Sequence, residues 1–240
     1  MTLRRLLVLA AALPAAARAA PSQLNQIPTT DLVPVGQASL QLQNGNPEIR
    51  GRGSLVHEPE LLPQSELGLP GNLEGGVDVV PASPPHDYRP VFNLKWRPVP
   101  EDYHVPAVAL GVQQLGPGFA PAYFLALSKT LNYAQLQYRK FRAHHRNIKL
   151  RGIRVHAGVL RTRDAWRALV GSDIELNDHL VFYGDWISGA RNAVAVGGVL
   201  VLGLHDSVQA ALLRANAEDR LSGVVVQITH TFDLAHPLEW

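Results

Sequence analysis

From Phe92 to Phe232 the chain alternates apolar and polar positions in short runs, each ended by a turn. Phe92, Leu94 and Trp96 fall on one side of their run and Asn93, Lys95 and Arg97 on the other. Tyr123, Leu125 and Leu127 oppose Phe124, Ala126 and Ser128, and Val155, Ala157 and Val159 oppose Arg154, His156 and Gly158. A period of two marks extended strands with two different faces. The pattern predicts ten strands, near 92–97, 108–113, 123–128, 135–139, 153–159, 166–175, 179–187, 193–202, 207–214 and 222–232. Turn residues separate them, as at Asn177-Asp178, Ser188-Gly189 and His205-Asp206. Only 207–220 also fits a helical spacing, through Val208, Ala211, Leu212 and Ala215; it is read as a strand because strands surround it.

The first ninety residues are different. Residues 1–19 read as a secretion signal, with Arg4 and Arg5 ahead of an apolar run and an Ala17-Arg18-Ala19 cleavage site. Residues 20–90 form a loop-rich part with two expected strands, 37–43 and 73–80. Between those two strands lie about thirty residues of weak periodicity, a length typical of a functional or a disordered loop. The N-terminal third would thus give two strands and a loop able to cap or plug whatever the sheet encloses. Residues 91–232 would form the ten-strand meander and 233–240 a tail, all in one domain.

Twelve strands of about 8–11 residues suit a transmembrane β-barrel, which needs an even count and ~9–11 residues per tilted strand. The set Asn93, Lys95, Arg97, Ala109, Gly111, Gln113, Gln135, Gln137, Arg139, Arg154, His156, Gly171, Asp173, Tyr183, Asp185, Gln227 and Thr229 would face the lumen. Trp96, Trp166 and Trp186 would face outward, and with Phe92, Tyr123 and Phe232 they fit an interfacial girdle. The alternative is a soluble periplasmic β-sandwich binding a glycan or an envelope partner, in which the apolar face packs on a second sheet.

The stretch 106–131 (PAVALGVQQLGPGFAPAYFLALSKTL) resembles the repeated hairpin of YjbH-type outer-membrane barrels linked to exopolysaccharide export. The residues that carry the likeness are Pro106, Ala109, Gly111, Ala126, Ser128 and Lys129, while Gln114 departs from the acid usual near that place. The resemblance implies an outer-membrane barrel. Val224, Val226, Ile228 and Phe232 are similar to the closing strand that barrel-assembly machinery reads, although the chain runs on to Trp240.

Charge adds one feature. Loss of Arg4, Arg5 and Arg18 takes the basic residues from 22 to 19 against 20 acids, so the mature chain is near neutral and no nucleic-acid partner is implied. Yet ten Lys and Arg lie between Arg139 and Arg167 against one acid, Asp164. Arg139, Arg142, Arg154, Arg161 and Arg163 are therefore the candidate anion-attracting residues of the lumen and its hairpin. Lipopolysaccharide phosphates or an anionic polysaccharide would be the partners.

Catalytic and metal signals are weak. No His-x-Ser pair of the kind seen in barrel lipases occurs. His205-Asp206 and Asp178-His179 place neighbours that do not orient one another. His144, His145 and His156 sit among arginines, which reads as a solvated basic loop and not a metal site. Cysteine is absent, so no disulfide framework forms. The expectation is an exported, non-enzymatic β-barrel without cofactors in the outer membrane: a narrow pore or an exopolysaccharide-associated scaffold.

Overall fold

A computed structural model describes residues 24, 27–44, 61–83, 87–131, 152–190, 192–217 and 223–234. The strands are β1 (Gln37–Asn44), β2 (Leu61–Leu69), β3 (Leu73–Ser83), β4 (Asp87–Val99), β5 (Ala107–Leu115) and β6 (Ala122–Leu131), followed by β7 (Gly152–Arg161), β8 (Trp166–Glu175), β9 (Leu180–Ile187), β10 (Ala193–Val201), β11 (Asp206–Ala215) and β12 (Gly223–Asp233). Each pairs antiparallel with the next, and β12 returns to β1 from Gln37↔Asp233 to Gln43↔Gln227. The result is a closed twelve-strand up-and-down barrel. A single sheet closed on itself leaves no second sheet for a sandwich and no unpaired edge.

The strand total matches the expectation, but its membership differs. β2 lies inside the stretch read as a long loop, so three strands precede β4. Its alternation is weak because Pro63, Gln64, Ser65 and Gly68 replace the apolar and polar pairs that would reveal it. The expected strand 135–139 lies outside the described residues, and β6 pairs directly with β7, from Tyr123↔Arg161 to Leu131↔Ile153. The region 207–215 is strand, as read. The hairpin 106–131 forms as β5 and β6.

The two faces sort as the period of two dictates. Phe92, Leu94, Trp96, Leu110, Leu125, Val159, Phe182, Val196, Leu212 and Ile228 are exposed on the outer wall. Lys95, Ala109, His156, Asp173, Tyr183, Asp185, Gln227 and Thr229 are buried in the lumen. The start of β1 and the end of β12 meet at one end of the barrel, here called the terminal end. Tyr123, Trp166 and Trp186 mark the outer wall at the far end, and the Trp186 indole N–H donates to Asn216 Oδ1 at 3.2 Å. Trp96 and Phe232 mark the wall toward the terminal end.

The lumen is not uniformly polar, contrary to the expected face of small and polar residues. Inward positions of β8 to β12 make an apolar core that includes Leu169, Tyr183, Ile187, Val199, Leu213 and Val225. The opposite wall carries Gln41, Glu66, Glu74, Asp78, Asn93 and Lys95. An interior of that kind needs something apolar against one side and hydrogen-bonding groups against the other.

Candidate functional site

The chain just before β1 meets both needs. Residues 27–33, together with Leu24, lie inside the barrel, with Ile27, Thr29 and Thr30 almost wholly buried, and Pro34 and Val35 emerge exposed at the terminal end. Leu24 and Ile27 join the apolar core of β8 to β12. They fit because β8 carries Gly171: a Cβ there would stand 2.8 Å from the Cδ1 atoms of both. Gly68 does the same for β2, where any side chain would run into the carbonyls of Val33 and Pro34. Val35 forms a parallel bridge with Gly68, and the Gly36 N–H donates to the Gly68 carbonyl at 3.3 Å. Among the described residues it is this N-terminal segment that fills the lumen; residues 45–60 of the loop expected to cap or plug it lie outside the described residues.

Polar contacts pin the segment in register. The Arg154 guanidinium forks onto Asp31, with Nη1 to Oδ1 at 2.6 Å and Nη2 to Oδ2 at 2.7 Å. Its Nε donates to Asp173 Oδ2 at 3.0 Å. Glu74 accepts the Val33 N–H at 2.7 Å through Oε2 and meets Lys95 Nζ at 2.8 Å through Oε1. Arg97 Nη1 reaches the Thr30 carbonyl at 3.4 Å. Burial alone would raise the Asp31 carboxyl, but the Arg154 charge and its hydrogen bonds more than reverse this and hold it below the ordinary carboxylate range. Lys95, Arg97 and Arg154 thus all touch the segment, directly or through one carboxylate.

A second chain of contacts runs along the wall beside it. His156 Nε2 lies 2.7 Å from Asp173 Oδ2, and Nδ1 lies 2.7 Å from Ser128 Oγ. With the Nε2 proton on the carboxylate side, Nδ1 accepts the serine hydroxyl. The register causes this: Ser128 lies opposite His156, and Arg154 lies opposite Asp173. A serine–histidine–aspartate string is the outline of a hydrolase relay, and no pattern within a single strand could show it. His156 is accordingly a buried lumenal group and not part of a solvated basic loop. Asp206, read as unable to serve its neighbour His205, instead meets His230 Nδ1 of the adjoining strand at 2.7 Å.

The candidate arginines separate. Arg154 is inside the lumen with both faces of its charge met by carboxylates. Arg161 ends β7 on the outer wall at the far end, its guanidinium carbon 5.6 Å from the Trp166 ring centre. Arg163 is exposed in the turn that follows. Arg139, Arg142, His144 and His145 lie outside the described residues. Among the described residues no three His, Asp or Glu side chains converge to hold a metal ion. One small space of about 40 Å³ remains between Pro28 and the polar wall of Glu66, Glu74 and Asp78.

No family model matches the chain, and no curated protein does; the likeness to YjbH-type barrels is not supported. Among solved structures, "KdgM porin" and "KdgM porin in complex with disordered oligogalacturonate" are similar to this chain at 7% and 8% identity. Each match has a TM-score of 0.49 and covers 82% of this chain and 99% of the other.

Proposed function

We propose that the protein is a non-enzymatic outer-membrane β-barrel, a narrow pore held shut by residues 27–33. The observation that carries this reading is the outer wall. Among the described residues its outward charges sit only toward strand ends, at Lys129, Arg161, Asp206, Arg214 and His230, and the band between carries none. A soluble protein gains nothing from exposing Phe92, Leu94, Leu125, Phe182, Val196 and Ile228 in one continuous belt. A bilayer removes that belt from water.

The solute class follows from what the segment covers. Its withdrawal takes Asp31 away from Arg154, releases Arg97 and relieves Glu74 of the Val33 N–H. The opened lumen then presents cations that the closed one neutralises, which favours an anionic solute such as an acidic oligosaccharide. Two experiments test the reading. After a salt and carbonate wash the protein stays with the membrane; recovery in the aqueous fraction would end the membrane assignment. In a planar bilayer, deletion of residues 27–35 converts a nearly silent protein into an anion-selective channel, and adding Arg154→Gln lowers that selectivity. A deletion variant as silent as the full chain would end the pore assignment.

A second reading, a lumenal hydrolase, is favoured only by the Ser128–His156–Asp173 string. Ser128 is 1% exposed, and Asp173 is shared with Arg154. Covalent labelling of the folded protein by a fluorophosphonate, lost in Ser128→Ala, would establish it in place of the first.

A further inference from the structure

The far end of the outer wall carries a cleft that the pore does not use. It lies between the β5–β6 connection and the β7–β8 turn, has a volume of about 590 Å³, and is lined chiefly by Phe119, Pro121, Tyr123, Arg161 and Arg163. Tyr123 and Arg161 are directly opposed across β6 and β7, and Arg161 is opposed to Trp166 across β7 and β8. The row therefore reads Tyr123, Arg161, Trp166 on the outward face. The Thr162 hydroxyl accepts the Ala165 N–H at 3.3 Å, and the Thr162 N–H donates to the Ala165 carbonyl at 2.9 Å, so the turn bearing Arg163 is tied to itself. Among the described residues neither Arg161 nor Arg163 has a carboxylate within ion-pair distance, whereas Lys95, Lys129 and Arg154 each do.

We infer that this cleft binds the phosphate-bearing headgroup of a membrane lipid. The inference rests on the membrane reading above, because it uses the position of the cleft at the edge of the apolar belt. Two guanidiniums supply forked donors suited to phosphate oxygens. Tyr123 and Trp166 are amphipathic rings of the kind that sit at headgroup level. Below them Leu125, Val159 and Val170 continue down the outer wall, where acyl chains attached to that headgroup would lie. A free anion would use the arginines but not this apolar track, and a soluble glycan would use the rings but not the wall.

The test is retention of lipid by the full-length protein in detergent, read by native mass spectrometry. The probe is lipid A carrying two phosphates, compared with the same lipid after phosphate removal. The bisphosphorylated lipid is expected to bind at least about tenfold more tightly than the stripped one. Arg161→Gln with Arg163→Gln should remove that advantage, while Arg214→Gln, an exposed far-end charge on β11, should leave it intact. Equal binding of the two lipids, or an equal loss in Arg214→Gln, would overturn the inference. So would complete displacement of the lipid by millimolar inorganic phosphate, which would mark a free-anion site. Protein that fails to enter detergent micelles at all would refute the membrane reading itself, whereas a well-inserted barrel without phosphate preference would refute this inference alone.

Discussion

Replacing Arg154 by Gln should loosen the inserted segment without dismantling the barrel. The guanidinium makes three charge-assisted contacts, two to Asp31 and one to Asp173, at 2.6 to 3.0 Å. Removing one partner of a fully buried pair costs about 3–5 kcal/mol. Here the Arg154 and Asp31 side chains keep 28% and 31% of their exposure, so solvent lowers the cost to about 2 kcal/mol. Burial of Ile27, Leu24 and Val33, at roughly 1.5–3 kcal/mol each as an upper estimate, still holds the segment in place. The lesion should therefore raise the open population about 30-fold rather than empty the lumen, since 1.4 kcal/mol is a factor of ten. The chain has no cysteine, so Thr29→Cys provides a single reporter at a site 1% exposed. Its reaction with a membrane-impermeant maleimide should be slow in the otherwise native protein and about 30-fold faster with Arg154→Gln. Asp31→Asn should give a smaller increase, because Arg154 keeps Asp173. Equal labelling rates in all three proteins would refute the idea that this ion pair latches the segment.

Three further outcomes follow from the same contacts. Gly171→Leu should expel Leu24 and Ile27 from their seat and open the bilayer-reconstituted protein to ions, whereas the same change at the outward Gly184 should leave conductance at its native level. Glu74→Gln should destabilise more than its size suggests, by about 2–3 kcal/mol in urea unfolding, since it removes the carboxylate charge 2.8 Å from the buried Lys95 ammonium; a shift under 0.5 kcal/mol would contradict the assigned pairing. Acid should open the lumen late. A carboxyl held below its ordinary value contributes in full above an unfolded pKa of about 3.9 and loses that contribution as pH falls through the lower folded value. Conductance should stay at its closed level from pH 7 to 5 and rise only below about pH 3.9; opening already at pH 6 would point away from Asp31.

How much of this was legible in the sequence depends on which contact one asks about. Local alternation placed Lys95, His156, Asp173 and Asp185 on the lumenal face, and Trp96, Trp166 and Trp186 outside, because a strand's faces are set within the strand. The Ser128–His156–Asp173 string was hidden for the opposite reason. Its members lie on the same face of three neighbouring strands, but only the inter-strand register brings them within 2.7 Å, and the long connection between β6 and β7 leaves that register open. Ser128 and His156 both stood in the inward phase, so the available clue was shared phase, not spacing. β2 was missed because proline and glycine interrupt its pattern where the inserted segment crosses Gly68. The weak alternation was itself a trace of that crossing.

The inserted segment could not be read from residues 24–36 alone, yet the barrel demands something like it. Inward positions of β8 to β12 supply Leu169, Ile187, Val199, Leu213 and Val225, an apolar surface that a water-filled lumen would leave wetted. Inward positions of β1 to β4 supply Gln41, Glu66, Glu74, Asp78 and Lys95, which need partners of opposite character. A segment with Leu24 and Ile27 toward one end and Asp31 and Val33 toward the other satisfies both walls in a single pass, and Gly171 and Gly68 clear the space where it comes closest. Wall and segment are matched position by position, so the closed state belongs to the design of the barrel. The proposed opening must then be driven by something that replaces those contacts, and an anionic solute can replace Asp31 on Arg154 but nothing apolar on β8. That asymmetry predicts partial opening: the residues around Asp31 release first, while Leu24 and Ile27 stay seated. Labelling of Thr30→Cys ahead of Pro28→Cys in the presence of a polyanion, with Asp31 and Ile27 both kept, would show that order, and simultaneous labelling would deny it.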